Sequence, residues 1–144
     1  MPAEFDPRAL MRAQAAAALG TLMDGAPYVS LVLVAFDADG SPLLLISRLA
    51  QHTKNLLADP RVSLLFDGTA GLEDPLTGPR LTVLGSAAPW PDPDALARYL
   101  ARHPSAQTYA GFSDFQIYKV TIERGHCVAG FGQIRWIEAV ALLG

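Results

Sequence analysis

A basic, hydroxyl-rich segment at residues 47–55 contains the side chains best suited to bind an anion. It follows the apolar run 43–46 and leads into a short predicted helix at about 53–58, so it forms a turn between a strand and a helix. Cationic and hydroxyl groups at a helix start favour a phosphate, because free backbone N–H groups and the helix dipole point the same way. An ordinary solvated polar loop is the alternative interpretation.

Other recognisable chemistry is absent from the sequence. It contains no G-x-G-x-x-G turn, no Walker A loop and no G-x-S-x-G elbow. His52, His103 and His126 are isolated, and no cysteine or histidine pair has metal-ligand spacing, so no metal site is predicted. A protein with so few reactive groups is either a binding module or takes its reactivity from a cofactor.

The composition indicates one globular domain, residues 1–144, in which 51% of the residues are hydrophobic and 17% are charged. Oligomerisation is one way to cover such an apolar excess. The net charge of -3, without a basic run, argues against nucleic-acid or anionic-membrane partners, and no apolar run approaches the length of a membrane span. The single cysteine, Cys127, cannot form an internal disulfide, so a reducing cytoplasm is predicted.

Apolar periodicity and turn residues predict the elements that position these groups. Helices are expected at residues 7–19, at 53–58, and from Pro93, with Asp92 as its cap, until just before Pro104. Asp39-Gly40 is a hairpin turn signal. Strands are expected at residues 29–36, 43–46, 62–66, 80–85, 115–122, 127–131 and 134–137. The first of these strands should be buried on both faces. The pattern predicts a mainly β (α+β) fold, a six- to seven-stranded antiparallel barrel with peripheral helices.

Six motifs in order give the chain a family resemblance. They lie at residues 28–32, 47–56, 59–65, 80–85, 112–115 and 130–137, and the similarity extends from about residue 18 to residue 137. The chain resembles the pyridoxamine 5′-phosphate oxidase-like FMN-binding split barrels, and among them the branch that contains haem-utilisation proteins. The resemblance implies a homodimer with two FMN sites at the subunit interface, acting on a small-molecule substrate.

The resemblance also assigns the site residues. Ser47, Arg48, Thr53, Lys54 and Asn55 would surround the FMN phosphate, and His52 belongs to the same cofactor-binding motif. Ser30 would edge the flavin ring. Arg80 and Thr82 would approach the flavin from a neighbouring strand. Arg135 and Trp136 would approach it from the C-terminal motif, either of the same subunit or of the other subunit of the dimer. Core packing is the alternative role for Trp136.

The chain also departs from the family patterns. Pyridoxamine phosphate oxidases proper carry an Arg-x-His-type substrate motif, where this chain has Arg135-Trp136-Ile137. Haem-degrading members place a histidine on a tail beyond the last strand, whereas no histidine follows His126. The predicted function is therefore that of an FMN-binding oxidoreductase with unassigned catalytic residues and unknown substrate. A haem-binding or haem-degrading protein and a non-catalytic flavin-binding protein are the alternatives.

Overall fold

A computed structural model of the protein describes residues 5–144 and contains one curled antiparallel sheet of eight strands. The strands are β1 (Ala16–Met23), β2 (Ala26–Leu33), β3 (Ala35–Phe36), β4 (Pro42–Ser47), β5 (Arg61–Asp67), β6 (Arg80–Pro89), β7 (Phe115–Val128) and β8 (Ile134–Glu138). The helices are α1 (Pro7–Ala13), α2 (Gln51–Ala58), α3 (Pro93–Arg102) and α4 (Gln107–Ala110). The predicted mainly β (α+β) architecture is confirmed, with eight strands instead of six or seven.

The strand order explains why the sheet forms a split barrel. Hydrogen bonding follows the order β2-β1-β5-β6-β7-β4-β3, and β8 pairs with β7. β2 and β3 lie at opposite ends of this order, yet only Val34 separates them in the chain. The sheet must therefore curl until its ends approach each other. No ladder joins β2 to β4 within residues 5–144, which leaves the barrel open between them.

Two groups of buried apolar side chains hold the barrel together. Alternate residues of the strands fill its interior, where Leu19, Leu64 and Phe66 have no solvent exposure. A smaller cluster outside the barrel packs α3, through Ala95 and Tyr99, against β3, β4 and β7. The predicted cap at Asp92 is confirmed, since its carboxylate accepts the Asp94 amide at 3.0 Å.

The outer face of the sheet that α3 does not cover is left open by the other elements of residues 5–144. Cross-strand pairing places six residues in one row from β2 to β8: Leu31, Ala18, Leu65, Thr82, His126 and Trp136. We call the surface around this row the outer face. Leu31 is 77% exposed, Trp136 is 54% exposed, and Val29 beside the row is 69% exposed. A contiguous apolar surface of this kind is typical of an interaction site.

The helix predicted at residues 7–19 is wrong beyond Ala13. Residues 16–23 instead form β1, with alternating buried and half-buried side chains. β1 pairs with both β2 and β5. These long-range ladders override the helix propensity of the alanines, which is only a weak local preference.

Two further strand predictions need correction. Burial of residues 29–36 on both faces is wrong for the part in β2: Val32 points into the barrel and is buried, whereas Val29 and Leu31 lie on the outer face, which no other element of residues 5–144 covers. Only at Ala35, which packs in the α3 cluster, is the other face also buried. The strand expected at 127–131 does not exist as a separate element. β7 continues through Cys127 to Val128, and residues 129–133 form the turn into β8.

Gly85 lies at a bulge where a side chain has no room. The pairing of β6 with β7 shifts between Leu84 and Gly85, and a Cβ atom at Gly85 would collide with the backbone carbonyl oxygen of Thr121. Gly85→Ala should therefore destabilise the fold by about 1–3 kcal/mol, as overpacking does, in a denaturant titration. The exposed neighbour Ser86→Ala is the matched control. Equal free energies of unfolding for the two variants would show that β6 and β7 move apart at residue 85 without loss of stability.

Candidate functional site

The turn from β4 into α2 is held by Asp114, which directly precedes β7. The Ser47 hydroxyl donates to Asp114 Oδ2 at 2.6 Å and accepts the Leu49 amide at 3.0 Å. The Arg48 amide donates to the Asp114 carbonyl at 2.8 Å, and the Arg48 guanidinium donates to the Ser113 carbonyl at 3.2 Å. The Ser47 side chain is therefore engaged within the protein, where it shapes the turn.

The first turn of α2 offers unsatisfied donors. No side chain caps this helix, and its first intrahelical bond runs from the Lys54 amide to the Ala50 carbonyl, so the amides of residues 51–53 have no intrahelical partner. Thr53 is fully buried, and its Oγ1 has no hydrogen-bond partner in the described part of the chain. Arg48 and Lys54 are exposed and form no ion pair within residues 5–144. These groups together suit an anion.

Asn55 anchors the helix to the barrel. Its Nδ2 donates to Thr21 Oγ1 of β1 at 3.0 Å, and its Oδ1 accepts Gln51 Nε2 at 2.7 Å. Asn55 is buried, so its amide faces the barrel and not the open end of the helix. Its structural role is to fix α2 against β1.

A cleft of about 260 Å³ opens in the split between β2 and β4, directly beside this turn. Its apolar and aromatic walls come from β2, β4, α3, α4 and β7, and its polar groups include Ser47 and His52. His52 Nδ1 lies 2.9 Å from the hydroxyl of Ser30 on β2. Burial lowers the pKa of His52 below its ordinary value, so the imidazole is neutral at pH 7.

The lowered pKa of His52 predicts a pH dependence. In the unfolded chain His52 gains its proton near pH 6.5, whereas in the folded protein it does so only at lower pH. Stability should therefore decline as the pH falls below about 6.5. Histidine NMR titration of the native protein should give a midpoint for His52 below that of the urea-unfolded chain. Coincident midpoints would contradict the burial of this ring.

The remaining predicted residues lie away from this cleft in the protomer. Thr82 and Trp136 belong to the outer row, and Arg80 lies near its edge on β6, where its guanidinium donates to the carbonyls of Leu76 and Gly78. β6 is three strands from β2 in the sheet, roughly 14 Å at the usual inter-strand spacing. Arg135 pairs with Cys127 and so projects to the opposite side of β8 from Trp136.

Trp136 contacts two side chains from β7. The Arg124 guanidinium lies 4.2 Å from the centre of its ring, and the His126 ring lies 4.6 Å away. The His126 imidazole forms no hydrogen bond within the described residues, whereas the His52 imidazole contacts Ser30 and His103 Nε2 donates to the Val34 carbonyl at 2.7 Å. Trp136 thus lies on the surface, and its core-packing alternative is not what the fold shows.

Asp114 and Arg124 contact predicted site residues but carry no role derived from the sequence. Asp114 reaches Ser47 only because β4 pairs with β7, across 67 residues of chain. The motif at 112–115 is the signal that could have found it, because the motif places an acidic residue directly before a strand. Within residues 5–144, no cluster of three potential metal ligands occurs, and no helix is long and apolar enough to cross a membrane.

Comparison with known proteins relates this architecture to haem proteins. Over 100 residues the chain is 43% identical to the non-canonical haem oxygenase HOZ, chloroplastic, of Arabidopsis thaliana, and the match covers 67% of this chain and 30% of that protein. The structure of a haem-binding protein from Mycobacterium smegmatis is 29% identical, with a TM-score of 0.85, over 94% of this chain and 58% of that one. The chain therefore spans less than two thirds of the length of either relative.

Two further matches concern the fold and the family. Campylobacter jejuni ChuZ has a TM-score of 0.80 at 20% identity, over 91% of this chain and 57% of that chain, which shows a shared fold. The family model described as pyridoxamine 5′-phosphate oxidase matches residues 7–129, which include every strand from β1 to β7. The chain belongs to the pyridoxamine 5′-phosphate oxidase family.

Proposed function

We propose that this protein is a homodimeric FMN-binding oxidoreductase that acts on a small molecule. The observation that carries the proposal is the continuity between the donor-rich start of α2 and the apolar cleft. Ser47, Ala50 and His52 belong to both, because the same turn that exposes the cations also forms one wall of the cleft. A phosphate joined to a flat aromatic ring has this shape and polarity.

The phosphate would be bound by Arg48, Lys54 and the free amides of residues 51–53. The orphaned hydroxyl of Thr53 supports this assignment, since a buried polar atom without a partner is rare unless a ligand or water satisfies it. Ser47 and Asn55 act indirectly, because their side chains are already bonded to Asp114 and Thr21. This division separates residues that contact phosphate from residues that position them.

The ring would occupy the cleft between β2 and β4. Apolar walls with a few polar groups are typical of cofactor pockets, and here the neutral His52, paired with Ser30, is the polar group at the edge. Bound FMN supplies the electron-transfer chemistry, and the protein's own residues exclude water and orient the ring. No residue of the chain is assigned as catalytic.

The position of the outer face supports a shared site in a dimer. Arg80, Thr82 and Trp136 are three or more strands from β2 within one protomer, so they could contact a cofactor at β2 most readily from a second subunit. The exposed apolar side chains of β2 and β8 give the surface that two such subunits would bury.

Flavin titration of the purified protein tests the proposal. FMN should bind more tightly than riboflavin, with quenching of flavin fluorescence, and the protein should reduce the flavin or oxidise it in assays with reductant and oxygen. Equal affinity for FMN and riboflavin would contradict the assignment of the phosphate site. Tight FMN binding without turnover would leave the non-catalytic flavin-binding alternative in place of the oxidoreductase.

Haem binding on the outer face is the second candidate, and His126 is the observation that favours it. Haem iron needs an axial ligand, and the His126 imidazole is unbonded in the described structure and lies beside Trp136 and Arg124 on an apolar surface. The names of the Arabidopsis and mycobacterial relatives point the same way. Haemin titration tests it: His126→Ala should abolish a ligand-shifted Soret band, and an unchanged band would exclude His126 as the iron ligand.

A further inference from the structure

We infer that Asp114 sets the selectivity of the cofactor site, because it positions the phosphate-binding turn while its charge opposes the phosphate. The inference rests on the proposed FMN function and goes one step further. It makes FMN an exchangeable ligand, held less tightly than the cations of the turn alone would hold it.

The positioning role follows from the contacts of the segment that contains Asp114. Three hydrogen bonds join residues 113–114 to residues 47–48, with donor–acceptor distances between 2.6 and 3.2 Å. The Asp114 carbonyl fixes the Arg48 amide, its carboxylate fixes the Ser47 hydroxyl, and that hydroxyl in turn accepts the Leu49 amide. Asp114 thus orients the backbone of the turn and the Ser47 hydroxyl, while the neighbouring Ser113 carbonyl holds the Arg48 guanidinium. Asp114 is therefore a positioning residue.

The opposing role follows from charge. The turn presents Arg48 and Lys54 to an anion, but the carboxylate of Asp114 is bonded to it through the Ser47 hydroxyl. A phosphate dianion at the start of α2 would lie beside the turn to which this carboxylate is bonded, and the two negative charges would repel each other. Removal of the charge alone should tighten phosphate binding roughly five- to tenfold, the effect of one nearby charge at a protein surface. Riboflavin has no phosphate and should not respond.

Two substitutions separate the two roles by the sign of their effects. Asp114→Asn keeps an oxygen that can accept the Ser47 proton and removes the charge, so FMN should bind more tightly and dissociate more slowly in stopped-flow displacement. Ser47→Ala removes the anchor and keeps the charge, so FMN should bind more weakly. Asp114→Glu retains the charge and is the control in which affinity should not rise.

Flavin titrations of these variants give distinguishable outcomes. A parent that binds neither FMN nor riboflavin defeats the proposed function, and the inference with it. If the parent binds FMN but Asp114→Asn leaves the affinity unchanged, or changes FMN and riboflavin alike, the inference alone is wrong. Thermal melting checks that each variant is folded. If Asp114→Asn does not fold, Asp114→Ser takes its place in the titrations, because it also removes the charge.

Discussion

In the proposed homodimer, Val29→Asp should raise the dimer dissociation constant at least about a hundredfold and so convert the protein to a monomer. Val29 projects from β2 onto the outer face and is 69% exposed in the protomer. A carboxylate buried between two apolar surfaces without a partner costs several kcal/mol, and each 1.4 kcal/mol corresponds to a factor of ten. Sedimentation velocity across micromolar concentrations measures the change.

The control for this experiment is a second exposed valine. Val140 is 78% exposed but lies in the 3₁₀ turn Ala139–Ala141, after β8, and Val140→Asp should leave the dimer intact. Dissociation in both variants would indicate a general effect of added charge. A parent that sediments as a monomer with flavin bound would contradict the shared site directly.

Arg48→Ala should weaken FMN binding about ten- to a hundredfold and leave riboflavin binding almost unchanged. A charge-assisted hydrogen bond to an ionised group contributes roughly 1.5–3 kcal/mol, and its loss leaves a phosphate without its fixed cation. The expected ratio of FMN to riboflavin affinity should therefore fall towards one. Fluorescence titration of both flavins into the same protein sample measures that ratio.

Arg61→Ala is the matched control for Arg48→Ala. Arg61 is also an exposed arginine, but it follows the other end of α2 and is paired with Asp59 at 2.7 Å. Its removal changes the net charge by the same amount, and it should not change the flavin ratio. If both variants lose FMN equally, long-range attraction and not a phosphate contact is responsible.

Local sequence signals predicted the elements whose stability is local. The turn at residues 47–50, the helix that follows it, the hairpin at Asp39-Gly40 and the Asp92-Pro93 helix start all lie where capping, turn and periodicity residues indicate. The helix predicted for the alanine-rich segment after Ala13 is wrong, because pairing with β2 and β5 decides the conformation of that segment. A sequence window of ten residues contains no information on strands that pair with it from distant parts of the chain.

The candidate site shows the same limit at the level of side chains. Residue types predict an anion-binding turn, but they could not show that Ser47 is already bonded to Asp114 and Asn55 to Thr21. Those contacts span 67 and 34 residues of chain and depend on how β4, β7, β1 and α2 pack. Likewise, the exposure of Val29 and Leu31 depends on which face α3 covers, and the sequence of β2 does not contain that information.

The single residue between β2 and β3 has a consequence for the kinetics of cofactor exchange. Val34 is held on both sides: its amide donates to the Ala15 carbonyl at 2.9 Å, and its carbonyl accepts His103 Nε2 at 2.7 Å. Widening the gap between β2 and β4 would have to break this corner and disturb the buried core beneath it. A ligand should therefore enter the cleft from its open side without any separation of β2 from β4. We expect its association rate constant to show a low activation barrier and to depend little on stabilising osmolytes.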